Sequence, residues 1–305
     1  MEKDFIHITD FSIEEIKSIL DVSSRLKQEA SEGIQHKYLD GKNLAMIFQK
    51  PSARTRVSFE IGMWQLGGYA LFLGPSDLDF GNRENIRDSA QVFSRYNDII
   101  MARVFKHKDI LEFANHATVP VINGLTDYNH PCQVMSDIFS IQEKRGHLED
   151  LQISFIGDGN NVFNSWLFLA QRLPIRLCLA SPKGYEPDQK LVDLTRTVGL
   201  SEVKISNDPY EIIAGSDIVY TDVWTSMGNE KETSKRVQNF SLFQVNESLM
   251  KVAKKEAYFL HCLPAHRGEE VTNEVLDGPQ SIVFDQAENR LHVQKALLMM
   301  VLGVL

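Results

Sequence analysis

The segment 261–268 of this 305-residue chain places chemically active side chains just after the apolar run 257–260. A cysteine beside two histidines suggests three kinds of site: a loop that holds Cys262 over a substrate, a Cys/His nucleophile, or a zinc site from His261, Cys262 and His266. Zinc is the least favoured, because three ligands so close together match no usual finger spacing. Without chemistry, the segment is a structural turn with a buried thiol.

The segment 51–56, Pro-Ser-Ala-Arg-Thr-Arg, has the composition of an anion site. It stands between the apolar run 44–48 and a helical pattern, so it predicts a tight loop from a strand into a helix. Ser52 is a good N-cap residue, and a helix amino terminus offers unpaired N–H groups and a partial positive charge. Two arginines and a threonine in the same turn predict a phosphate site; the alternative is a capped surface helix with solvated arginines.

Polar residues also follow the other apolar runs. In an open α/β sheet the carboxyl ends of parallel strands face a crevice, and ligands bind there. His130 stands before Pro131, a favourable first residue of a helix, although in isolation a helix cap without chemistry is its commoner role. The candidates at crevice ends are Ser52, Arg54, Thr55, Arg103, His130, Gln133, Asn161, Asp222, Ser226, Cys262 and Arg290.

The elements that must position these residues alternate between strands and helices in both halves of the chain. Short apolar runs predict buried parallel strands, and apolar residues at helical spacing predict the helices between them. The pattern predicts an α/β fold of two doubly wound parallel sheets packed side by side, with a domain boundary at the charged stretch 143–147. A long polar loop is expected over 222–240, and a strand is expected over 281–284, before the last helix.

Composition narrows the functional class. With 43% hydrophobic residues the chain can bury two substantial cores, and its formal net charge of −9 argues against nucleic-acid and membrane-surface partners. The cysteines Cys132, Cys178 and Cys262 are odd in number and widely spaced, which fits a reducing compartment. No signal peptide and no apolar run of ~18 residues is visible, so a cytoplasmic protein is expected.

The segment 157–162, Gly-Asp-Gly-Asn-Asn-Val, looks only superficially like a dinucleotide-binding turn. The third glycine of that fingerprint is missing, and the apolar run 176–180 is followed by no acidic residue for a ribose hydroxyl. Nicotinamide binding is therefore not predicted.

Four blocks, in this order along the chain, resemble the signature blocks of the aspartate/ornithine carbamoyltransferase family. They are Ser52-Ala53-Arg54-Thr55-Arg56, His130-Pro131-Cys132-Gln133, Asp222-Val223-Trp224-Thr225-Ser226-Met227-Gly228 and His261-Cys262-Leu263-Pro264. The Ser-Met-Gly loop and the segment 157–161 are similar to the ornithine branch of that family. Together the blocks span nearly the whole chain.

The resemblance implies a role for each matching residue. Carbamoyl phosphate is expected to bind to Ser52, Ala53, Arg54, Thr55, Arg103, His130, Gln133, Arg290 and the backbone of Cys262 and Leu263. L-Ornithine is expected to bind to Asn161, Asp222, Ser226 and Met227. The expected catalytic residues are Arg103, His130, Cys262 and Asp222.

The resemblance also implies domains and partners. It implies a carbamoyl phosphate-binding domain over 1–145, an ornithine-binding domain over 146–288 and a C-terminal helix over 289–305 that returns to the first domain. It further implies a homotrimer, or a multiple of trimers, with sites between subunits, and neither a metal nor an organic cofactor. The implied products are L-citrulline and phosphate, in a step of arginine metabolism.

Elementary chemistry agrees with the implied reaction. Attack of an amine on a carbonyl carbon builds charge on the carbonyl oxygen, so fixed donors such as Arg103 and His130 matter most in the transition state. The attacking amine must be neutral, whereas an ornithine side chain near the lysine pKa of ~10.4 is charged at neutral pH. We expect Asp222 and Cys262 to orient the amine and the departing phosphate to accept its proton.

Two positions depart from the family pattern. Ala53 stands where threonine is common, which removes a hydroxyl but leaves a backbone N–H for the phosphate. Asp79 stands about where ornithine enzymes carry a glutamine that reaches a neighbouring subunit's site. Either Arg83 neutralises Asp79, or the loop is shifted and Asn82 or Arg83 makes that contact instead, and we expect the second.

Three other functions stay open at this point. They are a carbamoyltransferase for putrescine or an N-acylated ornithine, a two-domain binding protein without chemistry, and a Cys/His hydrolase. Asp222 favours a free amino acid as substrate, and the arginines and thiol clustered at crevice ends disfavour a simple binding protein. The pair Cys262 and His266 lacks a visible orienting partner for hydrolysis.

Overall fold

Short apolar runs in the first half of the chain form four parallel strands. The computed structural model describes residues 3–78, 84–225 and 232–305. The strands are β1 (Asn43–Phe48), β2 (Tyr69–Leu73), β3 (Ile99–Arg103) and β4 (Val121–Leu125), in the order β2-β1-β3-β4. Strands β1, β3 and β4 are buried almost throughout, as expected where helices cover both faces of a parallel sheet. The edge strand β2 exposes Tyr69 and Leu71.

Helices cover this sheet where apolar residues recur at helical spacing. They are α1 (Ile13–Ser31), α2 (Ala53–Gln65), α3 (Ile86–Tyr96) and α4 (His107–His116). Helix α1 begins at a capping box, in which Ser12 Oγ accepts the Glu15 N–H and the Glu15 carboxylate accepts the Ser12 N–H. Its buried residues Ile16, Ile19 and Leu26 lie on one face, as the sequence predicts.

The second half of the chain forms a sheet of five parallel strands. They are β5 (Gln152–Ile156), β6 (Arg176–Ala180), β7 (Glu202–Ser206), β8 (Ile218–Thr221) and β9 (Tyr258–His261), in the order β7-β6-β5-β8-β9. The remaining helices are α5 (Pro131–Arg145), α6 (Asn161–Ala170), α7 (Gln189–Val198), α8 (Pro209–Ile213), α9 (Thr233–Phe240), α10 (Glu247–Met250), α11 (Asn273–Leu276) and α12 (Val283–Val301). The predicted α/β fold with two parallel sheets is confirmed.

The chain divides into two compact units. Unit 1 comprises Met1–Phe139 and Glu288–Leu305, and unit 2 comprises Ser140–Ala287. Helices α5 and α12 each contribute residues to both units, so the C-terminal part of α12 belongs to unit 1. Within the described ranges, no helix is both long enough and apolar enough to cross a membrane.

In both sheets the chain changes direction across the sheet at one place. In unit 1 it runs from β1 to β2, and then continues on the other side of β1 with β3 and β4. In unit 2 it runs from β5 to β6 and β7, and then continues on the other side of β5 with β8 and β9. Ligands of doubly wound sheets bind outside the carboxyl ends of the strands at such a switch point. The switch points lie between β1 and β3 and between β5 and β8.

Two expectations about local structure are wrong. No strand forms over 281–284: Ser281 makes only an isolated bridge with Phe259, and α12 already begins at Val283. A short apolar run suits a buried strand and a helix segment alike, so tertiary context decides between them. The loop expected over 222–240 includes α9, whose last residue, Phe240, is fully buried.

Candidate active site

The buried hydroxyl of Thr55 joins three segments of unit 1. Thr55 Oγ1 accepts hydrogen bonds from Ser52 Oγ at 3.1 Å and Arg290 Nη2 at 2.9 Å, with Arg103 Nη1 at 3.5 Å. Ser52 follows β1, Arg103 ends β3 and Arg290 belongs to α12, 235 residues away from Thr55 in sequence. These residues meet at the switch point of the first sheet.

Ser52 occupies the N-cap position of α2 but does not cap it with its side chain. Its hydroxyl is turned to Thr55 Oγ1 rather than to an N–H of the first turn. The first-turn N–H groups and the positive end of the helix dipole therefore stay available to an anion. Ala53, the first residue of α2, is exposed, and Arg54 beside it is half-buried.

His130 lies among the arginines of unit 1, directly before α5. It is 4% exposed, and its pKa is held well below 6.5 by burial and then by the positive charges of Arg290, Arg103 and Arg54. The imidazole is therefore neutral near pH 7, while three guanidinium groups give the surroundings a net positive charge. Such a site suits an anionic ligand.

Gln133 is buried in the first turn of α5. Its amide nitrogen Nε2 donates to Asp137 Oδ1 at 2.8 Å, which fixes the orientation of the amide. Its oxygen, Oε1, is buried and meets no donor among the residues that the structure describes. We use "unit 1 site" for Ser52, Arg54, Thr55, Arg103, His130, Gln133 and Arg290.

The Asp222 carboxylate is the centre of the polar residues in unit 2. Its Oδ1 accepts the Cys262 thiol at 2.9 Å and the Val223 N–H at 2.8 Å. Its Oδ2 accepts Asn160 Nδ2 at 2.8 Å. Asp222 follows β8 and Cys262 follows β9, so neighbouring strands deliver them to the same edge of the sheet. We use "unit 2 site" for Asn160, Asn161, Asp222 and Cys262.

Asn160 is a site residue that the sequence-based prediction missed. Its Oδ1 caps α6 by accepting the N–H groups of Val162 and Phe163, which leaves its Nδ2 for Asp222. An asparagine before an apolar helix is a recognisable N-cap signal. The contact with Asp222 could not be found that way, because it depends on β5 and β8 being neighbours. Asn161, the predicted residue, begins α6 and is half-buried.

An ion pair that the sequence did not suggest lies beside Asp222. Arg236 of α9 donates through Nη1 to Asp158 Oδ2 at 2.6 Å and to the Trp224 carbonyl at 2.9 Å. Burial raises the pKa of Asp158, the nearby Asp222 raises it further, and Arg236 opposes both. The pair links α9 to the turn after β5. In that turn Gly159 is required, because a Cβ there would lie 2.4 Å from Pro187 N.

The three cysteines differ in their surroundings. Burial raises the pKa of Cys132 to about 12 and that of Cys178 to about 11, so both are inert thiols of the core. Cys262 is half-buried and donates to a carboxylate. Leu263, its neighbour, lies in unit 2 as well. The predicted residues Ser226 and Met227, and the positions Asp79, Asn82 and Arg83, lie outside the described residues.

Among the residues that the structure describes, two groups of side chains have ligand atoms close enough to share a cation. One is Asp222, His261 and Cys262, and the other is His266, Glu269 and Glu270, each with ligand atoms within 4.8 Å of one another. The zinc trio considered from the sequence is thus divided between two groups. Both ring nitrogens of His261 already take part in hydrogen bonds, to the Leu263 N–H and to Glu270 Oε1. His266 is half exposed and lies 3.7 Å from Glu269 Oε2.

Comparison with known proteins covers nearly the whole chain. Residues 3–143 match the carbamoyl-P binding domain of aspartate/ornithine carbamoyltransferase, and residues 149–301 match its Asp/Orn binding domain. The chloroplastic ornithine carbamoyltransferase of Pisum sativum is 53% identical over 302 residues, which cover 99% of this chain and 80% of that protein. The ornithine carbamoyltransferase of Syntrophus aciditrophicus is 52% identical, with coverages of 98% and 99%. The structure of ornithine carbamoyltransferase from Pyrococcus furiosus matches with a TM-score of 0.95 at 48% identity, over 99% of this chain and 97% of that one.

Proposed function

The chain belongs to the aspartate/ornithine carbamoyltransferase family, and we propose that it transfers the carbamoyl group of carbamoyl phosphate to the side-chain amine of L-ornithine. The products are L-citrulline and phosphate. The observation that carries this proposal is the cluster of Arg54, Arg103 and Arg290 around a neutral His130. That cluster supplies an anion site in a protein whose net charge is −9.

Unit 1 binds carbamoyl phosphate in this proposal. The phosphate lies at the amino terminus of α2, where Ser52, Ala53, Arg54 and Thr55 surround it. Helix N–H groups and guanidinium groups both favour such an anion. The Thr55 hydroxyl holds Arg103 and Arg290 at the edge of this turn, which supports the assignment.

Arg103 and His130 act on the carbonyl oxygen. Charge develops there as the amine attacks, and donors that are already in place stabilise it without reorganisation. A neutral imidazole carries one N–H that can point at this oxygen, and the low pKa of His130 keeps it in that form at neutral pH. Triosephosphate isomerase uses a neutral histidine for the same purpose.

Gln133 recognises the amide end of the carbamoyl group. Its Nε2 is engaged by Asp137, so the buried Oε1 is the atom left to accept a substrate N–H. A phosphate-containing ligand without an amide would leave this oxygen without a donor. The site thereby favours carbamoyl phosphate over a simple phosphate ester.

Unit 2 binds L-ornithine through Asn161, Asp222, Ser226 and Met227. Three donors already fix the Asp222 carboxylate, so it is preorganised for the α-amino group. Cys262 and Asp222 orient the attacking amine, which must be neutral, and the departing phosphate takes its proton. The backbone of Cys262 and Leu263 contacts carbamoyl phosphate in this proposal.

The protein assembles as a homotrimer, or a multiple of trimers, and works in the cytoplasm. Exposed apolar side chains of unit 1 support assembly. Val57, Ile61 and Trp64 of α2 and Tyr69 and Leu71 of β2 are 40% to 71% exposed. Apolar surface of this kind on a soluble unit commonly marks an interface.

One assay tests the proposal against its alternatives. Purified protein is incubated with carbamoyl phosphate and one amine at a time: L-ornithine, putrescine, N-acetylornithine or L-aspartate. Phosphate release and the carbamoylated product are both measured. We expect the highest kcat/KM with L-ornithine. Preference for putrescine or N-acetylornithine would show that the assignment of L-ornithine as the substrate is wrong. Release of phosphate without any carbamoylated amine would indicate a hydrolase.

A further inference from the structure

One buried carboxylate holds both ends of the segment 261–266. Glu270 is fully buried, and its Oε1 accepts His261 Nε2 at 3.1 Å and the His266 N–H at 2.6 Å. Cys262 lies between these two anchors. The carboxylate therefore fixes the chain on either side of the thiol.

The hydrogen bonds determine which nitrogen of the His261 imidazole carries the proton. The Leu263 N–H donates to His261 Nδ1 at 2.9 Å, so Nδ1 is an acceptor and holds no proton. The ring proton is therefore on Nε2, which donates to Glu270 Oε1. A carboxylate behind an imidazole selects the tautomer and fixes the orientation of the ring.

The contact with Leu263 matters because the backbone there is unusual. Leu263 has a φ of 56°, in the left-handed region that a leucine seldom adopts. Such a conformation persists only where the surroundings hold it. The His261 imidazole supplies one such contact, and the same turn directs Cys262 Sγ to Asp222 Oδ1 at 2.9 Å.

We propose that His261 and Glu270 are positioning residues that act through the Leu263 amide to hold the Cys262 thiol against Asp222. The catalytic part of this proposal rests on the proposed function, whereas the geometric part does not. In this proposal neither side chain touches substrate. Burying a carboxylate costs free energy, and replacing buried charged groups by apolar residues often leaves stability unchanged or raises it. We therefore explain the place of Glu270 behind this turn by the geometry that it imposes.

Two amide substitutions separate the roles of the two ring nitrogens. In His261→Asn the amide oxygen stands near the Nδ1 position and still accepts the Leu263 N–H. In His261→Gln the longer amide reaches Glu270 but leaves that N–H without its acceptor. We expect His261→Gln to lower kcat by roughly a hundredfold, with both KM values changed by less than about threefold, and His261→Asn to stay within about tenfold of wild type.

A second pair of variants tests the carboxylate. Glu270→Gln keeps the Oε1 acceptor, and its amide nitrogen breaks no contact, because Oε2 meets no donor within the described residues. Glu270→Leu removes the acceptor for both His261 and His266. We expect Glu270→Gln to stay within about fivefold of wild-type kcat and Glu270→Leu to lose about as much as His261→Gln.

The alkylation rate of Cys262 by iodoacetamide reports on the turn without any catalysis. We expect this rate, followed by peptide mass mapping, to rise at least about fivefold in His261→Gln and Glu270→Leu, because the released thiol becomes more exposed. In the conservative variants His261→Asn and Glu270→Gln, Cys262 should be alkylated at the wild-type rate. Asp217→Asn is the control: this buried carboxylate of unit 2 accepts the Gln152 N–H and Lys254 Nζ. It should lower Tm without changing kcat or alkylation.

The outcomes distinguish positioning from a merely structural role. Equal kcat losses within each pair, unchanged alkylation, or losses that follow Tm across all variants including Asp217→Asn would overturn the proposal. If the His261 variants do not fold, the Glu270 variants still test the proposal, and the reverse also holds. If the wild-type protein transfers no carbamoyl group to any amine, the proposed function fails, and the alkylation rates still decide whether the pair holds the thiol.

Discussion

The unit 1 site and the unit 2 site occupy equivalent places in two parallel sheets but differ in charge. Each lies at the switch point of its sheet, beyond the carboxyl ends of the two strands on either side. The unit 1 site holds three arginines and a neutral histidine, and the unit 2 site holds a carboxylate with amide and thiol donors. Topology thus decides where a ligand binds, whereas side chains decide which charge it carries.

The sites also differ in how they are held together. The unit 1 site depends on contacts between distant parts of the sequence, above all Arg290 with Thr55. The unit 2 site depends on strand ends and on a helix cap, Asn160. The histidines whose pKa is lowered also belong to unit 1: His7, His36, His107, His130 and His292.

Loss of a guanidinium from the unit 1 site should have the largest effect. We expect Arg103→Ala to lower kcat by two or more orders of magnitude, since a donor to a developing oxyanion is typically worth ~2.7–4 kcal/mol. Steady-state kinetics measure this, with Arg95→Ala, an exposed arginine of α3, as the control. A loss below about tenfold in a folded variant would contradict the role of Arg103.

Loss of the Asp222 carboxylate from the unit 2 site should affect the binding of L-ornithine. We expect Asp222→Asn to raise the KM of L-ornithine roughly ten- to a hundredfold, the value of a charge-assisted hydrogen bond, while the KM of carbamoyl phosphate stays near wild type. Asp193→Asn, an exposed carboxylate of α7, is the control. Equal changes in both KM values would contradict the assignment of carbamoyl phosphate to the unit 1 site and L-ornithine to the unit 2 site.

The hydrogen bond from Asn160 to Asp222 should contribute less than the carboxylate itself, because it only orients the Asp222 side chain. Asn160→Ser keeps an oxygen that can cap α6 but is too short to reach Asp222 Oδ2. We expect the KM of L-ornithine to rise roughly fivefold with little change in Tm, as one neutral donor is lost. Asn246→Ser, at the matching cap of α10, should leave both KM values unchanged. If both variants behave alike, Asn160 is only a helix cap.

The smallest expected effect concerns acid stability of unit 1. The pKa of His292 is about 3 in the folded protein because of burial, with Lys295 and Lys27 adding to the shift. Below pH ~6.5 His292 is protonated in the unfolded chain but stays neutral in the folded protein. The free energy of unfolding therefore falls as the pH drops below that value. His292→Gln should reduce the stability difference between pH 7 and pH 5 by up to about 2 kcal/mol. Urea unfolding at both pH values measures this difference, and His147→Gln, an exposed histidine of unit 2, should behave like wild type.

The elements that were predictable from the sequence are those with strong local signals. Buried runs such as 44–48 and 153–156 became β1 and β5, and Pro131 begins α5 as expected. The strand expected over 281–284 failed because four apolar-rich residues carry no periodicity that separates strand from helix. Propensity and pattern thus sufficed for the architecture but not for short segments.

Most of the predicted site residues within the described ranges come together in one unit or the other, but most of their supporting partners were not predictable. Asp137 lies four residues after Gln133 in α5, a spacing at which helix side chains meet. Arg236 and Glu270 carry no such local signal, since they act on residues outside their own helix or turn. The contact of Arg236 with Asp158 forms only when the fold brings α9 to the turn after β5. Residue types therefore indicated the chemistry, whereas most of the residues that orient them required the structure.

The insertion of unit 2 into unit 1 sets the order in which the protein matures on the ribosome. Thr55, Arg103 and His130 are synthesised first, unit 2 follows, and Arg290 is made last. Domains fold as units while the chain emerges, so unit 2 can fold while the unit 1 site still lacks the guanidinium that contacts Thr55 Oγ1. A polypeptide released before Glu288 carries all of unit 2 and an incomplete unit 1 site. The unit 1 site is therefore completed only after all of unit 2 has been synthesised.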